Sequence, residues 1–378
     1  MKMKMKHFHK AATLIISTGI LGVLSFPGLH PEGAAYLYAK ITKETGAASG
    51  TAHKPAVKTK EKEPLETDET KVQWLEETLD YGIQEERIKA MDKMVRIKNE
   101  RMRDKLAKKL IALMKDETDP EVLVKALSVL GEMKEKSAIP LMTGKMDDPS
   151  EEVRVEAVYG LKRLDAVSSK KKLIEKLKEQ NLNKNSSFTN ALIDALAEFK
   201  AAELVPFIKD ALAKGSTAHG IKESMVLFLG KIRAKKARDI LLKLYTDEDE
   251  DINLRSYAVN SLGNSGIVEA GPVIKKVIKT IESYEFKKRR KYYTLYIYSI
   301  TALAKLGDAD AVPKLIQALR SNNPGTRLKV ISLIKDFKDQ RTIDILKYKM
   351  KNDQDPKVRA AAKKALEELG VQNREGRK

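Results

Sequence analysis

The sequence predicts an all-α chain, a right-handed superhelical α-solenoid of about nine helix pairs, and three observations lead there. Composition is the first: 378 residues contain only 12 prolines and 20 glycines, with hydrophobic residues at 42% and aromatics at 6%. Helix breakers are rare, and there is enough apolar material to build a core. The second is an internal motif that returns every 31 to 41 residues. The third is that each copy places apolar residues at i, i+3, i+4 and i+7, the spacing of one helix face. A lone pair of such helices cannot bury both apolar faces, so neighbouring pairs must stack.

The chain opens on Lys2, Lys4, Lys6 and Lys10, followed by an apolar run of sixteen residues from Ala11 to Phe26. A membrane-spanning helix wants about 20 apolar residues, so the run fits the core of a secretory signal better. Pro27-Gly28 breaks it, and small residues then offer cleavage after Ala35 or Ala39. Residues 1–39 are therefore expected to be a signal peptide, with an uncleaved N-terminal anchor as the alternative. Either way the body is expected to be exported, periplasmic or extracellular.

Residues 40–69 hold six lysines and six acids in a Thr-, Ala- and Gly-rich stretch without apolar periodicity. They are expected to form a flexible tether. Removing residues 1–39, with four Lys and one Glu, takes the net charge from +19 to +16, all of it in residues 70–378. Residues 70–370 are assigned to the solenoid and 371–378 to a short polar tail.

The repeat is clearest in Asp119-Pro-Glu-Val-Leu-Val-Lys-Ala126, Glu152-Val-Arg154-Val-Glu-Ala157, Leu254-Arg255-Ser-Tyr-Ala258 and Asp355-Pro-Lys-Val-Arg359-Ala-Ala-Ala362. An apolar residue, often followed by Arg, precedes a small residue, and a Leu or Ile closes the copy. The closing residues are Leu130, Leu161, Leu196, Leu229, Leu262, Leu303, Ile334 and Leu366, with successive steps of 31, 35, 33, 33, 41, 31 and 32. A weaker first copy runs through Arg87, Ala90 and Met94. The single long step is expected to reflect an extended helix around Lys287. Each copy also carries a preceding amphipathic run, such as Ala311-Val-Pro-Lys-Leu-Ile-Gln-Ala-Leu319, closed by an Asn/Asp/Pro turn.

Leu306-Gly307-Asp308-Ala-Asp-Ala311-Val-Pro313 and Asp353-Gln-Asp355-Pro-Lys-Val358-Arg359 resemble HEAT repeats, of the short kind found in bilin-lyase-like bacterial proteins. The resemblance covers about four-fifths of the chain and implies the solenoid. It constrains function little, because that family includes adaptors, transport receptors, lyases, hydroxylases and DNA-repair proteins.

Chemistry is sparse. Zero cysteines exclude a disulfide scaffold, a thiolate metal site, a Cys nucleophile and a lipoprotein anchor. The histidines are His7, His9, His30, His53 and His219, and only the last falls in the repeats. The HEAT-type hydroxylases use His-Glu pairs to hold two irons, and no His-Glu dipeptide occurs here. A zinc site or a Ser-His-Asp triad would rest on His219 alone. Gly263-Asn-Ser-Gly266 lacks the spacing of a nucleophile elbow, and no phosphate-cradling glycine loop occurs. No catalytic residue, cofactor or metal is expected.

Two constellations remain. Arg154, Arg255, Arg327 and Arg359 recur at one phase, with Asp148, Asp249 and Asp353 six residues before three of them. They are expected to form a structural ladder that holds each inter-helix turn through charge-assisted hydrogen bonds. The stretch from Tyr284 to Tyr298 contains the only five-residue basic run. Projected on one helix, Lys287, Arg290, Lys291, Thr294 and Tyr298 share a face, a candidate stripe for an acidic protein surface or an anionic polymer. Trp74 is expected to seal the first repeat. The expected function is an exported, non-enzymatic scaffold for protein–protein interaction of unspecified oligomeric state. The alternatives are nucleic-acid or anionic-polymer binding, favoured by the charge and opposed by export, and a lyase-like enzyme acting on a pigment or cofactor.

Overall fold

A computed structural model describes residues 68–335 and 339–371. The chain divides into units 1–65 and 66–378, and every described residue belongs to the second. The expected signal peptide lies outside the described residues. So do all but the last two residues of the expected tether and all but the first of the expected tail.

The second unit is an all-α solenoid; no strand occurs among the described residues. Its pairs follow in order: α1 (Asp68–Tyr81) with α2 (Gln84–Met94), then α3 (Glu100–Asp116) with α4 (Pro120–Glu132). Next come α5 (Ile139–Gly144) with α6 (Glu151–Arg163) and α7 (Lys170–Lys178) with α8 (Ser187–Glu198). The middle pairs are α9 (Val205–Ala213) with α10 (His219–Lys231) and α11 (Arg238–Thr246) with α12 (Ile252–Asn264). The seventh repeat has three helices, α13 (Gly271–Ser283), α14 (Phe286–Lys291) and α15 (Tyr293–Lys305). Two pairs complete the array: α16 (Ala311–Ala318) with α17 (Pro324–Ile334), and α18 (Gln340–Asn352) with α19 (Pro356–Glu368).

The second helix of each pair packs on the second helix of the next, so these helices form the buried spine. Every closing residue of the sequence repeat lies in it: Leu130, Leu161, Leu196, Leu229, Leu262 and Ile334 are fully buried, and Leu303 and Leu366 nearly so. Close packing demands small residues as well. A Cβ added at Gly263 in α12 would lie 2.8 Å from the Cα of Ala302 in α15, well inside contact distance.

The helix ends explain why the repeat is so regular. Asp119, Asn323 and Asp355 cap α4, α17 and α19, each accepting two backbone N–H bonds with its side chain, and a proline occupies the first turn. The carboxylate or amide meets otherwise orphaned donors, and proline occupies a position that needs none. At the other end a left-handed residue recurs: Lys134, Asp165, Lys200, Arg233, Gly266, Gly307 and Gly370 all have positive φ. The next residue's N–H then reaches back to the carbonyl of the closing leucine, as Glu135 does to Leu130 at 3.0 Å and Ile267 to Leu262 at 3.2 Å. This is a Schellman closure, and it is why the closing leucine stands at a constant distance from each helix end.

Two expectations need correction here. The long repeat is not an extended helix: Tyr284 is extended (φ −67°, ψ 146°) and ends α13, and Tyr292 (φ −90°, ψ 8°) separates α14 from α15. The extra residues form a separate short helix. Trp74 does not seal the first repeat. The residue is 44% exposed, with the Lys93 ammonium 4.1 Å from the ring centroid, while Leu75 and Leu79 supply the buried contacts.

Candidate functional site

The break at Tyr292 decides what becomes of the basic–tyrosine stripe. The 100° step cannot be carried from Lys287 to Tyr298 through two separate helices. Lys287, Arg290, Lys291 and Thr294 are exposed. Tyr298 is buried, edge-on to Tyr257 with ring centroids 6.1 Å apart and with the Lys329 ammonium 4.6 Å from its own centroid. It is a packing residue and leaves the stripe.

What the break creates instead is a cleft. Starting a new helix at Tyr293 leaves an opening between α13, α14, α15 and α16, lined mainly by Glu282, Arg289, Tyr293, Tyr296, Lys314 and Arg320, with a volume of about 460 Å³. That lies within the usual size of small-molecule sites, roughly 300–1,000 Å³. The rings of Tyr293 and Tyr296 lie 6.1 Å apart, tilted by 31°. Three cations face one carboxylate, so the lining is formally positive.

Hydrogen bonds hold the walls. Tyr296 Oη donates to Glu282 Oε1 at 3.0 Å, and Lys314 Nζ donates to the same oxygen at 2.6 Å. Arg289 is turned by bonds from Nε and Nη2 to the carbonyl of Tyr284, at 3.2 and 3.0 Å. Burial works to raise the carboxyl pKa of Glu282, but the bonds from Lys314 and Tyr296 outweigh it and the group stays ionised below its ordinary range. Burial, then the bond to Glu282, pushes the Tyr296 phenol strongly up, and burial raises Tyr293. Both phenols therefore remain neutral at physiological pH, and the tyrosines line the cleft beside guanidinium and ammonium groups.

The four arginines occupy one phase but do not act alike. Arg154 donates to the carbonyls of Asp148 and Pro149, Arg327 to those of Ser321 and Asn322, and Arg359 to those of Asp353 and Gln354, at 2.7 to 3.2 Å. Arg255 departs from them: buried, it donates from Nε to Tyr245 O at 3.1 Å and lies 6.0 Å from the ring centroid of Tyr292. Asp353 alone brings its carboxylate to an arginine of the set, and its partner is Arg327 of the preceding repeat, at 2.7 Å.

Ion pairs between neighbouring repeats run along the second helices. Lys125 pairs with Asp92, and Asp194 sits between Lys162 and Lys231. His219 opens α10 and is not alone. Its Nε2 lies 3.4 Å from Glu223 one turn along and 3.9 Å from Asp251, the N-cap of α12 in the next repeat. No helix among the described residues is long and apolar enough to cross a membrane.

A family model of HEAT repeats matches residues 107–185 and 290–367. These two stretches of the solenoid match HEAT repeats. The second matched stretch includes the cleft residues from α15 and α16. Bilin biosynthesis protein RpcF of Synechococcus sp. (strain WH8020) is 34% identical over 71 residues, 19% of this chain and 34% of the relative. The match thus spans about a third of that relative's length. Among solved structures, the complex of CpcE and CpcF of phycocyanin lyase from Nostoc sp. PCC7120 is 17% identical over 76% of this chain and 99% of that chain, with a TM-score of 0.39. Kap121p bound to Ste12p is 10% identical over 80% of this chain and 37% of that chain, with a TM-score of 0.46.

The similarity to RpcF overturns the expectation of a non-enzymatic scaffold, since that relative is a bilin biosynthesis protein. Nucleophiles, metal ligands and phosphate loops are each legible in a short motif. A cleft whose walls come from four helices has no such motif. Glu282, Lys314 and Arg320 were missed for that reason, and the long repeat step was the one available hint of where to look.

Proposed function

We propose that this HEAT-repeat protein is a bilin-lyase-type enzyme component that holds a linear tetrapyrrole in the cleft between the seventh and eighth repeats. The observation that carries the reading is the stretch 34% identical to a bilin biosynthesis protein. The geometry supports it. A bilin is a flat, conjugated chain bearing two propionate carboxylates, and the cleft offers tyrosine faces for the pyrroles and Arg289, Lys314 and Arg320 for the carboxylates. With zero cysteines the chain has no thiol of its own to accept or attack the pigment. Its role is to bind and orient the chromophore while the acceptor group belongs to a second protein. The exposed Lys287, Arg290 and Lys291 beside the cleft suit an acidic surface on that acceptor. Export remains part of the proposal, supported by the Lys-rich start and the apolar run that follows it.

Titration of the purified chain with biliverdin should give a saturable change in the visible absorption band. Arg320→Glu, an exposed change in the cleft lining, should weaken binding at least tenfold with an unaltered helical melt. No spectral change at tens of micromolar pigment, or equal binding by the variant, would refute the assignment.

A further inference from the structure

We propose that His219, Glu223 and Asp251 form a binding site for a zinc-type divalent cation that bridges the fifth and sixth repeats. The inference is independent of the bilin cleft. His219 and Glu223 stand four residues apart on α10, so both side chains leave the same face of the helix. Asp251 arrives from the turn before α12, one repeat further along. One donor atom from each lies within 4.8 Å of the others.

Zinc bonds histidine nitrogen and carboxylate oxygen at about 2.0–2.2 Å, so in its tetrahedral geometry two donor atoms stand roughly 3.3–3.6 Å apart. The separation from His219 Nε2 to Glu223, 3.4 Å, matches that spacing, and the 3.9 Å to Asp251 exceeds it by a few tenths of an ångström. His219 and Glu223 are partly exposed and can close the remaining gap by rotation, while Asp251 is held in place by the bond its Oδ1 accepts from Asn253 N at 2.7 Å. A nitrogen with two carboxylate oxygens favours zinc or a similar borderline metal over magnesium or calcium, which prefer oxygen alone. Three protein ligands would leave a coordination position open.

The electrostatics point the same way. Asp251 ends a run of five acids, Asp247 to Asp251, and Lys222, which pairs with Glu250 at 2.9 Å, is the cation this turn engages among the described ion pairs. Two carboxylates held this close repel each other unless a positive charge comes between them. Their field reaches the neighbouring Tyr257, whose hydroxyl burial first, and then Tyr298, Glu223 and Asp251, hold above its ordinary pKa.

The test uses the full chain freed of metal by chelation. Zinc is titrated calorimetrically, and cobalt is used as a coloured probe of coordination. His7, His9, His30 and His53 offer imidazoles elsewhere in the chain, so the decisive readout is the binding lost on substitution. His219→Ala and Glu223→Gln should each weaken the site at least tenfold and abolish the cobalt band, while millimolar magnesium should not compete. Asp251→Asn retains a side-chain cap for α12 and should also lose metal without losing helix. Absence of zinc binding would overturn the proposal. So would unchanged affinity in His219→Ala, or full retention by both carboxylate variants.

Discussion

Replacing Asp353 by Asn should loosen the last two repeats by roughly 2 kcal/mol at neutral pH, and the size follows from its surroundings. The Asp353 side chain is 2% exposed and accepts from Arg327 Nη2 at 2.7 Å, with Lys349 Nζ at 3.0 Å. The backbone N–H of Asp355 adds a third bond at 3.1 Å. Burial alone would raise its pKa, but these donors prevail and bring the carboxyl from an ordinary 3.8 to about 2. A depressed carboxyl pKa contributes stability above the unfolded value and loses it as pH falls through the folded value. The gap from 3.8 to about 2 is worth roughly 2 kcal/mol at pH 7 and about half of that near pH 3. Asn can still cap the Asp355 N–H, so the loss is that of the charge. Because repeats couple to their neighbours, the effect should be read locally, by hydrogen exchange of the α17 and α19 amides. A change of about 2 kcal/mol is roughly thirtyfold faster exchange at pH 7, and the variant should approach wild type as pH is lowered. Equal exchange at pH 7, or a difference that persists undiminished in acid, would refute the argument.

Two further outcomes are expected. Lys200→Gly should stabilise the protein by about 1 kcal/mol, because an exposed lysine with φ 50° carries a left-handed strain that glycine does not; urea unfolding should show a higher midpoint at constant slope, and a lower midpoint would mean that the lysine side chain contributes contacts. Mass spectrometry of the protein from its native cell should find a new N-terminus between Tyr36 and Ile41, and an intact chain in the cytoplasm would contradict export.

The solenoid was legible in the sequence because its stabilising contacts recur at short range. Leu262 must be apolar, and its neighbour Gly263 small, wherever a second helix packs on the next, so the pattern returns each time the chain completes a repeat. Caps and Schellman closures are local too, and Asp119-Pro120 or Asp355-Pro356 announces a helix start without reference to the rest of the molecule. Residues 31 to 41 apart meet through stacking, and their encounters follow side-chain direction, which the repeat does not specify. The period alone could not tell that Asp353 turns back to Arg327 while its own carbonyl receives Arg359. Nor could it tell that Arg255 would leave the ladder for Tyr245. The seventh repeat shows the limit most clearly. The long step and the basic run were visible, but only the backbone at Tyr292 decided that the helix would break, burying Tyr298 and opening a cleft that Glu282 reaches from α13 and Arg320 from the turn after α16. His219 looked isolated for the same reason: Glu223 stands one helical turn away, but Asp251 joins them only when the next repeat is laid against the first. Periodic burial is written residue by residue along the chain, whereas the convergence of polar groups on a site depends on where each stacked helix ends and which way its side chains turn.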